Sequence, residues 1–78
     1  MIGPRLTLAA IYPTGERWAA QFYAGTEHAG ALAGYASREE CQAAAEAVLH
    51  QLGQRPQLLA LASLSAADAL AASLLPIQ

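Results

Sequence analysis

Residues 37–53 read SREECQAAAEAVLHQLG, and they spell a complete helix. Ser37 and Glu40 make an S-x-x-E capping box, in which the hydroxyl accepts from the amide three residues on and the carboxylate reaches back. Cys41, Ala44, Ala45, Val48, Leu49 and Leu52 recur at the spacing of one helical face, with Glu39, Gln42, Glu46 and His50 mostly on the other. Gly53 suits the left-handed residue after a helix end, and Pro56 bars continuation. The spacing predicts a helix over 38–52. Its buried stripe is largely alanine, and a methyl group removes little area from water. Such a helix gains burial only by lying close on its neighbour, so a closely apposed sheet is the natural support.

The text before the helix supplies that sheet. RLTLAAIY (5–12) alternates loosely, with Leu6, Leu8, Ala10 and Tyr12 on one side and Thr7, Ala9 and Ile11 on the other. PTGE (13–16) is turn chemistry, and RWAAQFYA (17–24) completes a β-hairpin. Trp18, Ala20 and Phe22 share one face of it, Ala19, Gln21 and Tyr23 the other. GTEHAG (25–30) reads as a polar loop, and ALAGYA (31–36) as a short third strand, which Gly34 either weakens or marks with a bulge. Residues 57–64, QLLALASL, are ambiguous, because Leu and Ala are helix formers. A single helix over 57–75 would, however, scatter its leucines around the whole circumference. Splitting the segment gives a continuously apolar strand over 57–64, as parallel strands are. A second helix over 65–75 follows, with its own S-x-x-D start at Ser65.

The expected architecture is therefore α+β. A three-stranded antiparallel meander leads into helix 38–52, then a fourth strand parallel to the first and a C-terminal helix, in strand order 3-2-1-4. Both helices are expected on one face. Trp18 and Phe22, or Leu6 and Leu8, would fill the seam under the first helix, leaving Tyr23 and Ile11 on an uncovered outer face.

Residues 1–78 are expected to form a single domain with a thin stability margin, since a chain this short buries only about 60–65% of its unfolded surface. The apolar fraction, 55%, argues against disorder. About a quarter of the chain is alanine, however, so a partner or a second copy is a natural way to complete the core. The basic residues are Arg5, Arg17, Arg38 and Arg55, with no lysine and a net charge of −2. Without a basic run, capture of a phosphate backbone is disfavoured. The chain start lacks the charged and apolar regions of a secretory signal. Residues 58–75 would place Asp68 in a bilayer at a cost of about 2.5–3.5 kcal/mol, so no membrane span is expected. The expected location is cytoplasmic.

Candidate chemistry is sparse. Cys41 and His50 are nine residues apart on one helix, out of alignment, and no C-x-x-C or H-x-x-x-H spacing exists, so no metal site is expected. Cys41 lies on the apolar stripe beside Glu40, the wrong setting for a reactive thiolate. Ser37 and Ser65 are engaged in capping, and Ser63 and Ser73 lack a nucleophile-elbow context. Glu39 and Glu40 point about 100° apart and cannot share a substrate. GTEHAGALAG has glycines but no phosphate-loop pattern. No cofactor and no catalytic residue are expected.

The meander-helix-strand layout resembles a truncated ribonuclease H architecture. That family needs acidic residues on the first strand and helix; RLTLAAIY has none, so nuclease activity does not carry over. The layout is also similar to HicB-type antitoxins, in which a helix like SREECQAAAEAVLHQL follows the third strand. In size and layout the chain further resembles small phage-encoded anti-CRISPR inhibitors, which implies a protein that occupies a surface of a host effector complex. The resulting expectation is a non-enzymatic protein-binding module, with Arg17, Tyr23, Tyr35 and Arg38 as contact residues because aromatic and Arg side chains dominate interface energetics. The alternatives are a homodimeric antitoxin-like or structural module using its uncovered sheet face and, less favoured, an RNA-binding sheet.

Overall fold

The computed structural model describes residues 5–73. Six elements follow in the order β1 (Leu8–Thr14), β2 (Arg17–Ala24), β3 (Glu27–Tyr35), α1 (Arg38–Leu52), β4 (Gln57–Ala60) and α2 (Leu64–Ser73). The strands form one sheet in the order β3-β2-β1-β4, with β1 antiparallel to β2 and parallel to β4. This is the α+β layout, with the strand order and the parallel pair, that the sequence predicts.

Helix α1 has the boundaries its sequence announces. Ser37 Oγ accepts from the Glu40 amide at 3.1 Å, and the Glu40 carboxylate reaches back to accept from the amide of Ala36 at 3.2 Å, one residue beyond the expected box partner, Ser37. Gly53 closes the helix in the left-handed region, φ 68°. Cys41, Ala45 and Leu49 are buried against Ala9, Ile11, Ala20 and Phe22, with Leu6 joining the cluster. Trp18, Leu32, Tyr35, Val48 and Leu58 pack around its rim. The alanine stripe thus meets sheet positions that are themselves partly alanine. Leu52, expected on the buried stripe, is instead 55% exposed at the last residue of the helix.

The two helices lie on opposite faces of the sheet, which corrects the expectation that they share one. Ala9 and Ile11 face α1, whereas Leu8, Ala10 and Tyr23 pack against Ala67 and Ala71 of α2. Successive residues of a strand point to opposite faces, so the two clusters have the thickness of β1 between them. The reason is in β1, where Leu8, Ala9, Ala10 and Ile11 are all apolar and all at most 1% exposed. A strand apolar on both sides needs cover on both. The same pairing overturns the outward placement of Ile11 and Tyr23. Ile11 pairs with Ala20 and lies on the α1 side, and Tyr23 is fully buried on the α2 side.

Three element boundaries also move. β3 begins at Glu27, not residue 31, because Gly25 (φ 68°) and Thr26 close a tight turn where a longer loop was expected. β4 stops at Ala60. Leu61 still donates to Ile11 O at 2.7 Å, but the next residue of β1 to face β4 is Pro13, which has no N–H to continue the ladder. The chain then turns into α2 with Ser63, not Ser65, as its cap, its hydroxyl accepting from the Ala66 amide at 3.2 Å. Residues 74 and 75 of the expected second helix lie outside the described residues.

Ala45 is fully buried in the seam under α1, so enlargement there is expected to be costly. Ala45→Leu should lower unfolding free energy by about 1–3 kcal/mol in urea titration. The matching change at half-buried Ala44 should cost less than half as much.

Candidate functional site

Three of the four expected contact residues gather at one end of the molecule. Arg17 opens β2, Tyr35 closes β3, and Arg38 opens α1. Trp18 pairs with Tyr35 across the two strands, and Arg17 Nη1 donates to Gly34 O at 3.4 Å. Arg17 and Arg38 are exposed, while Trp18 and Tyr35 are half-buried against the α1-side core. Glu16, in the β1–β2 turn, and Glu39, in the first turn of α1, stand exposed at the same end. The result is two aromatic side chains anchored by the core and ringed by charges of both signs.

Tyr23 does not belong to this end. It sits at the opposite end of β2, next to last in the strand, fully buried beneath α2. Its hydroxyl donates to Asp68 Oδ1 at 2.6 Å, and His28 Nε2 lies 2.9 Å from the same oxygen. The rings of Tyr23 and His28 meet edge to face with centroids 5.2 Å apart. The S-x-x-D pattern from Ser65 predicts Asp68 in the first turn of its helix. It lies further along α2 and fastens that helix to β2 and β3. The arrangement was not legible in the sequence, because 45 residues separate Tyr23 from Asp68.

The electrostatics of this cluster follow from burial and shared hydrogen bonds. Asp68 is held below the usual carboxylate range, first by the Tyr23 hydroxyl and then by His28. Tyr23 is pushed well above the usual phenol range, first by burial and then by its bond to Asp68. Neither shift creates a reactive group near neutrality: the phenol stays protonated and the carboxylate stays ionised. The cluster is built as a clasp. Cys41 is likewise fully buried, and burial pushes its thiol up, away from the nucleophilic thiolate form. Among the described residues, no three His, Cys, Asp or Glu side chains gather as a metal ion would require. No helix among them is long and apolar enough to cross a membrane.

An open groove of about 290 Å³ lies between the end of α1 and β4, floored by Leu49, Pro56 and Leu58 and edged by His50 and Arg55. The amide of Leu6 donates to Gln54 Oε1 at 2.6 Å beside it, tying the entry to β1 to the loop after α1. Compared with known protein families, curated proteins and solved structures, the chain matches none.

The clasp predicts a pH dependence of definite sign. A carboxyl whose folded value is depressed contributes fully above about pH 4 and loses that contribution as pH falls through the depressed value. Acidification from about pH 5 to pH 2 should therefore loosen α2, seen as a change in the near-ultraviolet circular dichroism of Tyr23. Asp68→Asn should remove that step. Tyr23→Phe should cost about 1–2 kcal/mol in urea titration. Cys41 is expected to react with a thiol reagent only as fast as the chain unfolds, so a reaction rate that stays unchanged on adding denaturant would contradict its burial.

Proposed function

We propose that this chain is a non-enzymatic protein-binding module that docks the Arg17–Tyr35–Arg38 end of its sheet on a larger macromolecular complex. On this reading it works in the cytoplasm as a small phage- or mobile-element-encoded inhibitor does, including those of the anti-CRISPR type, by occupying a surface. The observation that carries the reading is the convergence of two exposed arginines on two core-anchored aromatics from three different elements. Aromatic and Arg side chains supply most of the energy in protein interfaces when their bodies are rigid and their tips are free. Trp18 and Tyr35 meet that condition because the core holds one side of each.

Charge selects the class of partner. Glu16 and Glu39 alternate with the arginines at this end, which weakens attraction to a phosphate backbone. A protein surface of mixed charge suits the same pattern, with register set by complementary pairs. Tyr23 drops out of the contact set because it is buried in the clasp.

The test compares partners retained by the tagged chain from host lysate, quantified by mass spectrometry. The double variant Arg17→Glu/Arg38→Glu should melt like the parent, since both residues are exposed, and should lose its partner at least tenfold. Tyr35→Ala should weaken retention further at some cost in stability. Gln42→Glu, on the exposed side of α1, should change nothing. Undiminished retention by the charge-reversed variant would overturn the assignment of this end.

A further inference from the structure

We propose that β4 is a self-pairing edge. A second copy of this chain adds its own β4 antiparallel, about a two-fold axis through Leu59, to make one continuous eight-stranded sheet.

Among the described residues the sheet has two unpaired edges, β3 and β4, and they are not equivalent. β3 carries two register shifts against β2, each with one extra residue on β3: Trp18 and Ala20 pair with Tyr35 and Leu32, and Phe22 and Tyr23 pair with Gly30 and His28. Bulges of this kind bend an edge away from further pairing. β4 pairs with β1 in unbroken register from Gln57 to Ala60. Helix α1 packs on β1, β2 and β3, and α2 on β1 and β2, which leaves β4 at the margin of both, with Leu58 alone reaching the rim of the α1-side core.

The hydrogen-bonding pattern fixes how a copy would sit. Leu61 turns its N–H inward to Ile11 O. Alternation then directs Gln57 and Leu59 inward as well, and leaves the N–H and C=O of Leu58 and Ala60 facing away from the sheet. In an antiparallel pair centred on Leu59, Leu58 lies opposite Ala60 of the second copy, and Ala60 opposite its Leu58. Each pair exchanges two bonds, so every outward group of these residues is satisfied. Leu59 meets its own copy at the central, closely spaced position. Centring on Leu58 instead would oppose Ala60 to Pro56, which has no N–H to give.

The side chains suit the same geometry. Among the described residues, the large hydrophobic ones that stand exposed are Leu52 (55%), Leu59 (38%) and Leu64 (36%). Leu59 is on β4, Leu52 ends the helix before it and Leu64 begins the helix after it. Leu59 pairs with Ala10 and so stands on the α2 side of the sheet, where the two-fold brings it against Leu59 of the second copy. No residue from 57 to 67 is charged, so two chains of net charge −2 meet without repulsion along this strip. The strip is one short strand, about 13 Å long. The buried area then falls at the low end of specific interfaces, roughly 1,000 Å² in total, and the dimer is weak, with a dissociation constant on the order of 100 μM.

Sedimentation equilibrium from about 10 μM to 1 mM tests this, together with amide exchange by NMR over the same range. The expected result is a concentration-dependent dimer in which the Leu58 and Ala60 amides gain protection and the β3 amides do not. Leu59→Lys, a change at an exposed position, should weaken the dimer at least tenfold, while Arg17→Glu/Arg38→Glu should dimerise like the parent. A chain that stays monomeric at about 1 mM would overturn the proposal. So would a dimer whose Leu58 and Ala60 amides stay unprotected, a readout that uses the unaltered chain and does not depend on any variant folding.

Discussion

Strand β1 is the member on which everything else is assembled. Four consecutive residues, Leu8, Ala9, Ala10 and Ile11, are buried on alternating faces. Its hydrogen-bonding edges are filled by β2 on one side and β4 on the other. A strand enclosed on all four sides has no freedom to slip, because a shift of one residue would exchange its two apolar faces and both helices with them. The close seams explain how so alanine-rich a chain forms a core: methyl groups stabilise little by area, but where both partners are small the backbones approach and dispersion contacts accumulate.

Much of this was readable beforehand, for physical reasons that differ by element. Helix α1 carries its own punctuation, and local signals that agree with one another leave little room for alternatives. The β1–β2 hairpin was legible because Pro13, Thr14 and Gly15 mark its turn. β3 was the weakest reading because its two bulges break the two-residue period on which strands are recognised, and because an exposed edge places no demand for apolar residues at fixed positions. The length of β4 depended on Pro13, 44 residues earlier, through a ladder that only the folded sheet brings together. The placement of α2 differs from the expectation although its signal is in the sequence. LAAI in β1 is apolar at four successive positions, the pattern of a strand covered from both sides.

The candidate surface was legible to a similar degree. Arg17, Tyr35 and Arg38 stand out in the sequence by residue type, and the hairpin and the short link into α1 bring them to one end. Tyr23 stands out by the same rule but is a core residue, because its hydroxyl finds Asp68 on a helix that covers the face expected to stand open. A tyrosine satisfies either role. Which one it takes depends on whether a buried acceptor lies within reach, and that is a property of tertiary structure.

Alanine on both sides of β1 also bears on how this chain can change over generations. At Ala9, Ala10 and Ala20 a larger side chain has nowhere to go, and the one smaller choice, glycine, surrenders strand order to entropy. Those positions are closed to drift in either direction. Sequence variation is thereby displaced to the perimeter of the sheet, where Arg17, Tyr35, Arg38 and the outward side of β4 stand, while the interior stays as it is.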